Sequence, residues 1–153
     1  MEYPITELAR EDYQQTVDLA CLCFGELVRK TAEDEFGATF ADYPFRPKTF
    51  VAKDQKKVIG IIQSMTVYVD TGPQAFAWIA VHPDFRKQHI GLALLTYAEQ
   101  ETITHRFRGT PGTFFLISSY DPSYYRSQGY VGGDTITHKG YPILVKHYQP
   151  SGL

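Results

Sequence analysis

Two short and almost entirely apolar runs most constrain how this chain folds. They occupy residues 75–82 (AFAWIAVH) and 113–118 (TFFLIS), and a segment with helical spacing, residues 90–105, lies between them. A strand that is apolar on both faces belongs in the centre of a sheet that is covered on both sides. The sequence therefore predicts two buried central strands with a helix between them along the chain.

The other segments extend this alternation of strands and helices. Residues 58–69 alternate as a strand that places Ile59, Ile61 and Gln63 on one face. Residues 26–48 mix acidic and aromatic side chains and are expected to be irregular. Further elements are expected as strands at 3–8 and 49–53, a helix at 10–24, a short helix capped by Asp121 and Gly129, and a hairpin at 130–148. The predicted fold is an α/β layered single domain, residues 1–153, with a central mixed β-sheet flanked by helices.

Composition and charge exclude several classes of protein. The net charge is −2, from 15 basic and 17 acidic residues, whereas a nucleic-acid binder is usually basic. Cys21 and Cys23 are too close in sequence to form a disulfide framework, and they are expected as small buried apolar side chains. The five histidines lack metal-ligand spacing, so no metal is expected. With no signal peptide or transmembrane stretch, we expect a cytoplasmic protein without nucleic-acid or membrane partners.

The segment after the first central strand has the properties of a phosphate-binding loop. The strand ends at Pro83, the basic residues Arg86 and Lys87 follow, and a helix begins with Gly91 and Ala93 in its first turn. Free N–H groups at a helix N-terminus bind phosphate, and small residues there let a ligand approach the backbone. Neither a Gly-Lys-Ser/Thr loop nor a GxGxxG motif is present. The segment therefore predicts a pyrophosphate site of another kind.

The stretch Gln88-His89-Ile90-Gly91-Leu92-Ala93 resembles the Arg/Gln-x-x-Gly-x-Gly/Ala signature of the GCN5-related N-acetyltransferase (GNAT) family. In that family this loop holds the pyrophosphate of acetyl-CoA, and many members have glycine where this chain has His89. The resemblance implies that acetyl-CoA is the co-substrate and that the backbone of residues 79–81 pairs with its pantetheine arm. It implies acetyl-CoA contacts from Ile79, Ala80, Val81, Arg86, Lys87, Gln88, His89, Ile90, Gly91, Leu92, Ala93 and Ser118.

A second motif, residues 118–130 (SSYDPSYYRSQGY), is similar to the GNAT ending in which a tyrosine precedes a Gly-aromatic pair by four residues. The Asp-Pro-x-Tyr-Tyr form is similar to a group of small bacterial GNAT proteins. The resemblance makes Tyr125 the general acid that protonates the departing CoA sulfur, because a phenol is neutral at pH 7. The adjacent Tyr124 is the rival, and we expect one of the two to face the sulfur and the other to face the core.

An acidic and aromatic group in the early part of the chain is the candidate acceptor site. Carboxylates and aromatic faces together favour an organic cation, and GNAT domains shape their acceptor pocket with this region. The acceptor-binding residues expected here are Glu33, Glu35, Phe36, Phe40 and Asp42. The alternative is that the acidic run Glu33-Asp34-Glu35 is a solvated face or loop.

The function implied is transfer of acetyl from acetyl-CoA to a primary amine of a small molecule, by direct attack in a ternary complex. The general base is left open between a water relay, a carboxylate from the early helices, and His82. The alternative is a catalytically inactive acyl-CoA-binding sensor or interaction module with the same fold. The protein is expected to be a monomer or a homodimer.

Overall fold

The computed structural model describes residues 2–67, 73–117, 122–137 and 139–150. Short 3₁₀ turns precede the first helix and flank the second, and one π-helical turn, Ile103–Phe107, follows the third. In chain order the strands and helices are β1 (Ile5–Glu7), α1 (Tyr13–Phe24), α2 (Arg29–Gly37), β2 (Lys48–Asp54), β3 (Lys57–Thr66), β4 (Pro73–Val81), α3 (Ile90–Thr102), β5 (Gly112–Ile117), α4 (Ser123–Arg126), β6 (Val131–Ile136) and β7 (Pro142–Tyr148).

The strands form one seven-stranded sheet in the order β1-β2-β3-β4-β5-β7-β6. Only β4 and β5 run parallel among the paired strands, and the remaining neighbours are antiparallel. A parallel pair needs a crossover connection, which α3 supplies here. The two apolar runs are thus adjacent strands in the middle of the sheet, and the predicted α/β layered fold with a mixed sheet is confirmed.

The helices cover both faces of the sheet and create two cores. On one face, α1 and α2 pack on β2, β3 and β4 through side chains such as Val17, Phe36 and Ile61. On the other face, α3 and α4 pack on the sheet through a larger cluster that includes Leu94 and Tyr125. Because both faces are buried, the central strands have to be apolar throughout, which explains their composition.

Helix α2 corrects the expectation that residues 26–48 are irregular. Ala32 and Phe36, four residues apart, are both fully buried against the sheet. The Lys30 ammonium pairs with the Asp34 carboxylate at 2.9 Å on the outer side of the same helix. The apolar stripe is only two residues wide, so the charged residues around it hide the helical period from sequence inspection.

A β-bulge corrects the expected facing of β3. The pairing with β2 shifts by one residue, since Ala52 opposes Gly60 whereas Lys53 opposes Val58. Ile59 therefore packs in the α3-side core, whereas Ile61 packs in the α1-side core. A one-residue shift moves every following side chain to the opposite face, so the expectation that Ile59 and Ile61 share a face is wrong.

The described helices contain none that is long and apolar enough to cross a membrane. Gly129 has φ +93°, the left-handed conformation expected of the residue that ends the short helix α4. The proposed N-cap of that helix, Asp121, lies outside the described residues.

Candidate active site

The two central parallel strands stay together over only part of their length. Ladder pairs join Pro73–Phe76 of β4 to Thr113–Leu116 of β5. In the parts of the chain that the structure describes, no ladder pair joins the remainder of β4 to β5. A register shift in the pairing of β4 with β3 marks a bulge around Trp78, which has φ +57°. Among the described residues, the carboxyl-terminal half of β4 therefore has no strand partner on its β5 side.

A cavity of about 260 Å³ lies along this half of β4. Its walls come from five separated parts of the chain: the end of α1, the second half of β4, the loop after β4, the start of α3, and α4. The lining residues are Cys23, Phe24, Ile79, Ala80, Val81, Arg86, Gly91, Tyr124 and Tyr125. The structure thus brings Ile79, Ala80, Val81, Arg86 and Gly91 from the first motif together with both tyrosines of the second.

The loop before α3 has a backbone suited to an anion. Lys87 and His89 adopt left-handed conformations, with φ +65° and φ +61°. Changes of hand between successive residues turn N–H groups to one side and form an anion-binding concavity, and the helix dipole of α3 adds to it. A Cβ built on Gly91 would lie 3.8 Å from Val81 Cγ2 and 3.9 Å from the Tyr124 hydroxyl oxygen. The N-terminus of α3 is therefore open to close approach from the cavity side.

Arg86 places a positive charge in the cavity wall. Its Nε donates to the Val81 carbonyl oxygen at 3.1 Å, and its Nη2 donates to Cys23 Sγ at 3.8 Å. These contacts hold the guanidinium at the end of β4, beside the loop that precedes α3. Burial raises the pKa of the Cys23 thiol even though Arg86 lies beside it, so this thiol remains protonated at neutral pH.

Cys23 and Phe24 are cavity residues that sequence reasoning missed. Cys23 was expected to be a buried core thiol, but it is only partly buried and lines the cavity. Helical periodicity shows that α1 has an apolar face, but not which central strand its last turn overlies. No motif surrounds these two residues, so the packing of α1 on β4 is needed to find them.

The two tyrosines of α4 differ in burial although both line the cavity. Tyr125 is 8% exposed and belongs to the α3-side core, whereas Tyr124 is 44% exposed. Their rings contact each other edge-to-face with centroids 5.1 Å apart. Burial raises the pKa of the Tyr124 phenol, so that hydroxyl keeps its proton at neutral pH. Both tyrosines therefore line the cavity, and each is a neutral phenol that could donate a proton there.

The remaining residues of the first motif lie on a different surface. Ile90 is 5% exposed and packs in the α3-side core. Lys87 is exposed and lines neither the active-site cavity nor the groove described below. The Gln88 side-chain oxygen accepts a hydrogen bond from the Tyr3 hydroxyl at 3.1 Å. Gln88, His89, Ile90, Leu92 and Ala93 line a groove of about 650 Å³ between β1 and α3. Among the described residues, the lining of the active-site cavity includes none of these five, and Ser118 lies outside the described residues.

The expected acceptor residues do not form one cluster. Phe36 is fully buried in the α1-side core, so its side chain is not available to a ligand. Phe40 and Asp42 line a separate surface depression. The backbone carbonyl of Glu33 accepts from the Tyr13 hydroxyl at 2.8 Å, which fixes α2 against α1.

Glu35 is the member of that group that is linked to the cavity wall. Its carboxylate accepts a short hydrogen bond from the indole N–H of Trp78, the bulge residue of β4. The Trp78 ring in turn packs edge-to-face on Phe24, with centroids 5.7 Å apart. Glu35 therefore lies one aromatic ring away from the cavity lining.

His82, one of the candidate bases, accepts a hydrogen bond from the turn that follows β4. Its Nδ1 accepts from the backbone N–H of Asp84 at 3.1 Å, and it is absent from the cavity lining. Within the described ranges no group of three or more His, Cys, Asp or Glu residues is arranged to hold a metal ion.

Solved structures with the same fold include several acetyltransferases. The PaiA N-acetyltransferase from Thermoplasma acidophilum, crystallised with coenzyme A, has 18% identity and a TM-score of 0.74, covering 97% of this chain and 100% of its own. YhbS from Escherichia coli, also with coenzyme A, has 18% identity and a TM-score of 0.76, covering 96% and 82%. Aminoglycoside 6'-acetyltransferase type Ii has 21% identity and a TM-score of 0.69, covering 94% and 96%. These likenesses establish the fold.

The sequence itself matches a protein-family model. No curated protein matches the sequence significantly. A family model described as "Acetyltransferase (GNAT) domain" matches residues 46–132, which span β2 to the start of β6 and include the loop, Gly91 and both tyrosines. The chain belongs to the GNAT acetyltransferase domain family, and as a member it is an acyltransferase that takes its acyl group from acetyl-CoA.

Proposed function

We propose that this protein transfers the acetyl group of acetyl-CoA to a primary amine of a small molecule, by direct attack within a ternary complex. The observation that carries the proposal is the cavity along the second half of β4, whose lining brings Arg86 and Gly91, from the loop and the start of α3, together with two tyrosines. Within the family, the Asp-Pro-x-Tyr-Tyr sequence at 121–125 further suggests the group of small bacterial members.

The coenzyme would bind along the second half of β4. On the β5 side, no described residue forms a ladder pair with Ile79 to Val81, so the amides of a pantetheine arm can complete the ladder there. The pyrophosphate would lie on the N–H groups at the start of α3, with Arg86 beside it. A volume of about 260 Å³ suits this reactive arm, while the nucleotide remains outside.

The reaction then needs two proton movements. The neutral amine nitrogen attacks the thioester carbonyl carbon, the C–S bond breaks, and the sulfur leaves as a thiolate that must gain a proton. Tyr125 is the proposed donor because it lines the cavity and is held by the core, and Tyr124 is the rival. The ammonium formed by the attack must lose a proton to a base.

Glu35 is the carboxylate that best supports recognition of a cationic amine. Its hydrogen bond to Trp78 fixes it behind Phe24 in the cavity wall, so it attracts positive charge toward the cavity. For Glu35 to take the proton from the amine directly, the Trp78 ring, which lies between Glu35 and Phe24, would have to move. Among the bases considered, a water relay ending at Glu35 agrees with this arrangement better than His82.

The test is release of the CoA thiol from acetyl-CoA over a panel of amines. Polyamines, amino sugars and lysine-like amines should be acetylated faster than neutral or acidic amines of similar size, and mass spectrometry should detect one added acetyl group. Turnover with none of them, together with tight binding of CoA in calorimetry, would favour the inactive sensor instead. Preference for acidic amines would remove the cationic-acceptor part and leave acetyl transfer intact.

A further inference from the structure

A second cavity, of about 400 Å³, lies at the opposite end of α3 from the candidate active site. Its walls come from the start of β2, the ends of β3 and β4 that face away from the active site, and the π-helical turn that follows α3. Helix α3 has 13 residues, so its two ends are about 20 Å apart. The two cavities are therefore separate sites.

The wall of this cavity is strongly basic. Arg46 and Lys48 from the β2 side face Arg106 and Arg108 from the α3 side, and Glu101 is the carboxylate in the same wall. The chain as a whole has a net charge of −2, so this concentration of positive charge is local. Basic residues after a helix are commonly explained by its dipole, but that explanation does not cover Arg46 and Lys48.

Part of this charge is already compensated. Arg46 Nη2 pairs with Glu7 Oε1 at 3.1 Å, and its Nε donates to the Thr39 carbonyl oxygen at 3.0 Å. The Glu101 carboxylate is engaged by His105 at 2.9 Å. Within the described ranges, neither Lys48 nor Arg108 forms an ion pair. Arg108 Nε donates to the His105 carbonyl oxygen at 3.2 Å, so the Lys48 ammonium and the terminal nitrogens of Arg108 are the cationic groups offered to a ligand.

The remaining walls are suited to an organic body. Phe45, which is partly exposed, supplies aromatic surface, and the Arg106 guanidinium lies 5.8 Å from the Phe45 ring centroid. The floor contains the buried Ser64, whose Oγ accepts from Gln74 Nε2 at 2.7 Å. That bond leaves the Ser64 hydroxyl hydrogen available for donation into the cavity.

We propose that this cavity is a binding site for a small organic phosphate, separate from the acetyl-CoA site. Ammonium and guanidinium groups bind phosphate through charge-assisted hydrogen bonds, and the exposed Phe45 ring offers apolar surface to a sugar or base. The volume lies within the range of about 300–1,000 Å³ that is usual for small-molecule sites. Binding here does not depend on acetyl transfer.

The experiment uses calorimetry on the full chain saturated with CoA, so that the active-site loop is occupied. The probes are pyrophosphate and adenosine monophosphate, with adenosine as the ligand that lacks phosphate. We expect both phosphates to bind and adenosine to bind at least about tenfold more weakly, because it lacks the charged contacts. Affinity for the phosphates should fall as salt is raised.

The double variant Lys48→Gln/Arg108→Gln removes the two cationic groups proposed to bind phosphate. The control is the double variant Lys56→Gln/Lys139→Gln, which removes two exposed positive charges elsewhere. Phosphate affinity should fall at least about tenfold in the first pair and remain within twofold in the second. The single Lys48→Gln variant repeats the test if the pair fails to fold. Absence of phosphate binding to the CoA-saturated protein, or equal losses in variant and control, would overturn the proposal without affecting the proposed acetyl transfer.

Discussion

Replacing Gly91 with glutamate should separate folding from coenzyme binding. A Cβ at this position would meet Val81 Cγ2 at 3.8 Å and the Tyr124 oxygen at 3.9 Å, which are ordinary contacts. The φ angle of Gly91 is not in the positive region that favours glycine. The protein should therefore fold as before, and loss of a helical glycine can stabilise it by about 0.5–1 kcal/mol.

The cost falls on the bound pyrophosphate. A carboxylate about 6 Å from one phosphate charge costs about 0.7 kcal/mol at the dielectric constant of water and about 2.8 kcal/mol at an effective value of 20. For two phosphate charges the penalty is about 1.4–5.6 kcal/mol, or about tenfold to ten-thousandfold in affinity. The side-chain bulk adds to it. We expect a loss of at least about tenfold, smaller at high salt.

Calorimetric titration with CoA measures this effect, and thermal unfolding reports the fold. Thr96→Glu is the matched control, because it adds the same charge to an exposed position of α3 that lines the groove on the other side. If Gly91→Glu and wild type bind CoA equally, the pyrophosphate does not lie at the start of α3. If Thr96→Glu loses as much affinity, the effect comes from net charge rather than from contact.

Further predictions concern the proton donor, the acceptor and the core. Tyr125→Phe removes only the hydroxyl, so kcat in a steady-state assay should fall by about 100-fold or more while acetyl-CoA binding is unchanged. Tyr124→Phe should lower kcat less. An unchanged kcat for Tyr125→Phe would assign the general acid to Tyr124 or to water. Glu35→Gln should raise KM for a cationic amine but not for acetyl-CoA, and an equal rise for a neutral amine would argue against charge recognition. Gly112→Ala places a Cβ 2.2 Å from a ring carbon of the buried Phe107, so chemical denaturation should show a loss of about 1–3 kcal/mol, and full stability would mean that the ring can move.

Sequence reasoning identified the elements that have strong local signals. The apolar run of β4, the helix that begins at Ile90 and the glycine that ends α4 were all predicted, because burial on both faces, helical period and left-handed φ each leave a mark in the sequence. For the loop before α3, charge and small residues predict a pyrophosphate site, and this stays a prediction.

What sequence reasoning missed depends on contacts between distant segments. Ile59 and Ile61 alternate in the sequence, and only the pairing with β2 shows the bulge that separates them. Phe24 and Cys23 become cavity residues because α1 ends over β4, which periodicity does not reveal. Phe36 resembles a candidate ligand contact in sequence, but its packing on the sheet makes it part of the core.

The position of β7 between β5 and β6 has a consequence for how the protein is made. The central strand β5 pairs along its outer edge with Ile143–Tyr148 of β7, which emerges from the ribosome after β6. Until β7 is synthesised, that edge presents free N–H and C=O groups that can pair with another chain. Closing the sheet depends on contacts about 30 residues apart in sequence, which form slowly compared with local ones. Nascent chains halted before β7 should therefore aggregate, and their β5 edge is the surface that a chaperone would need to shield.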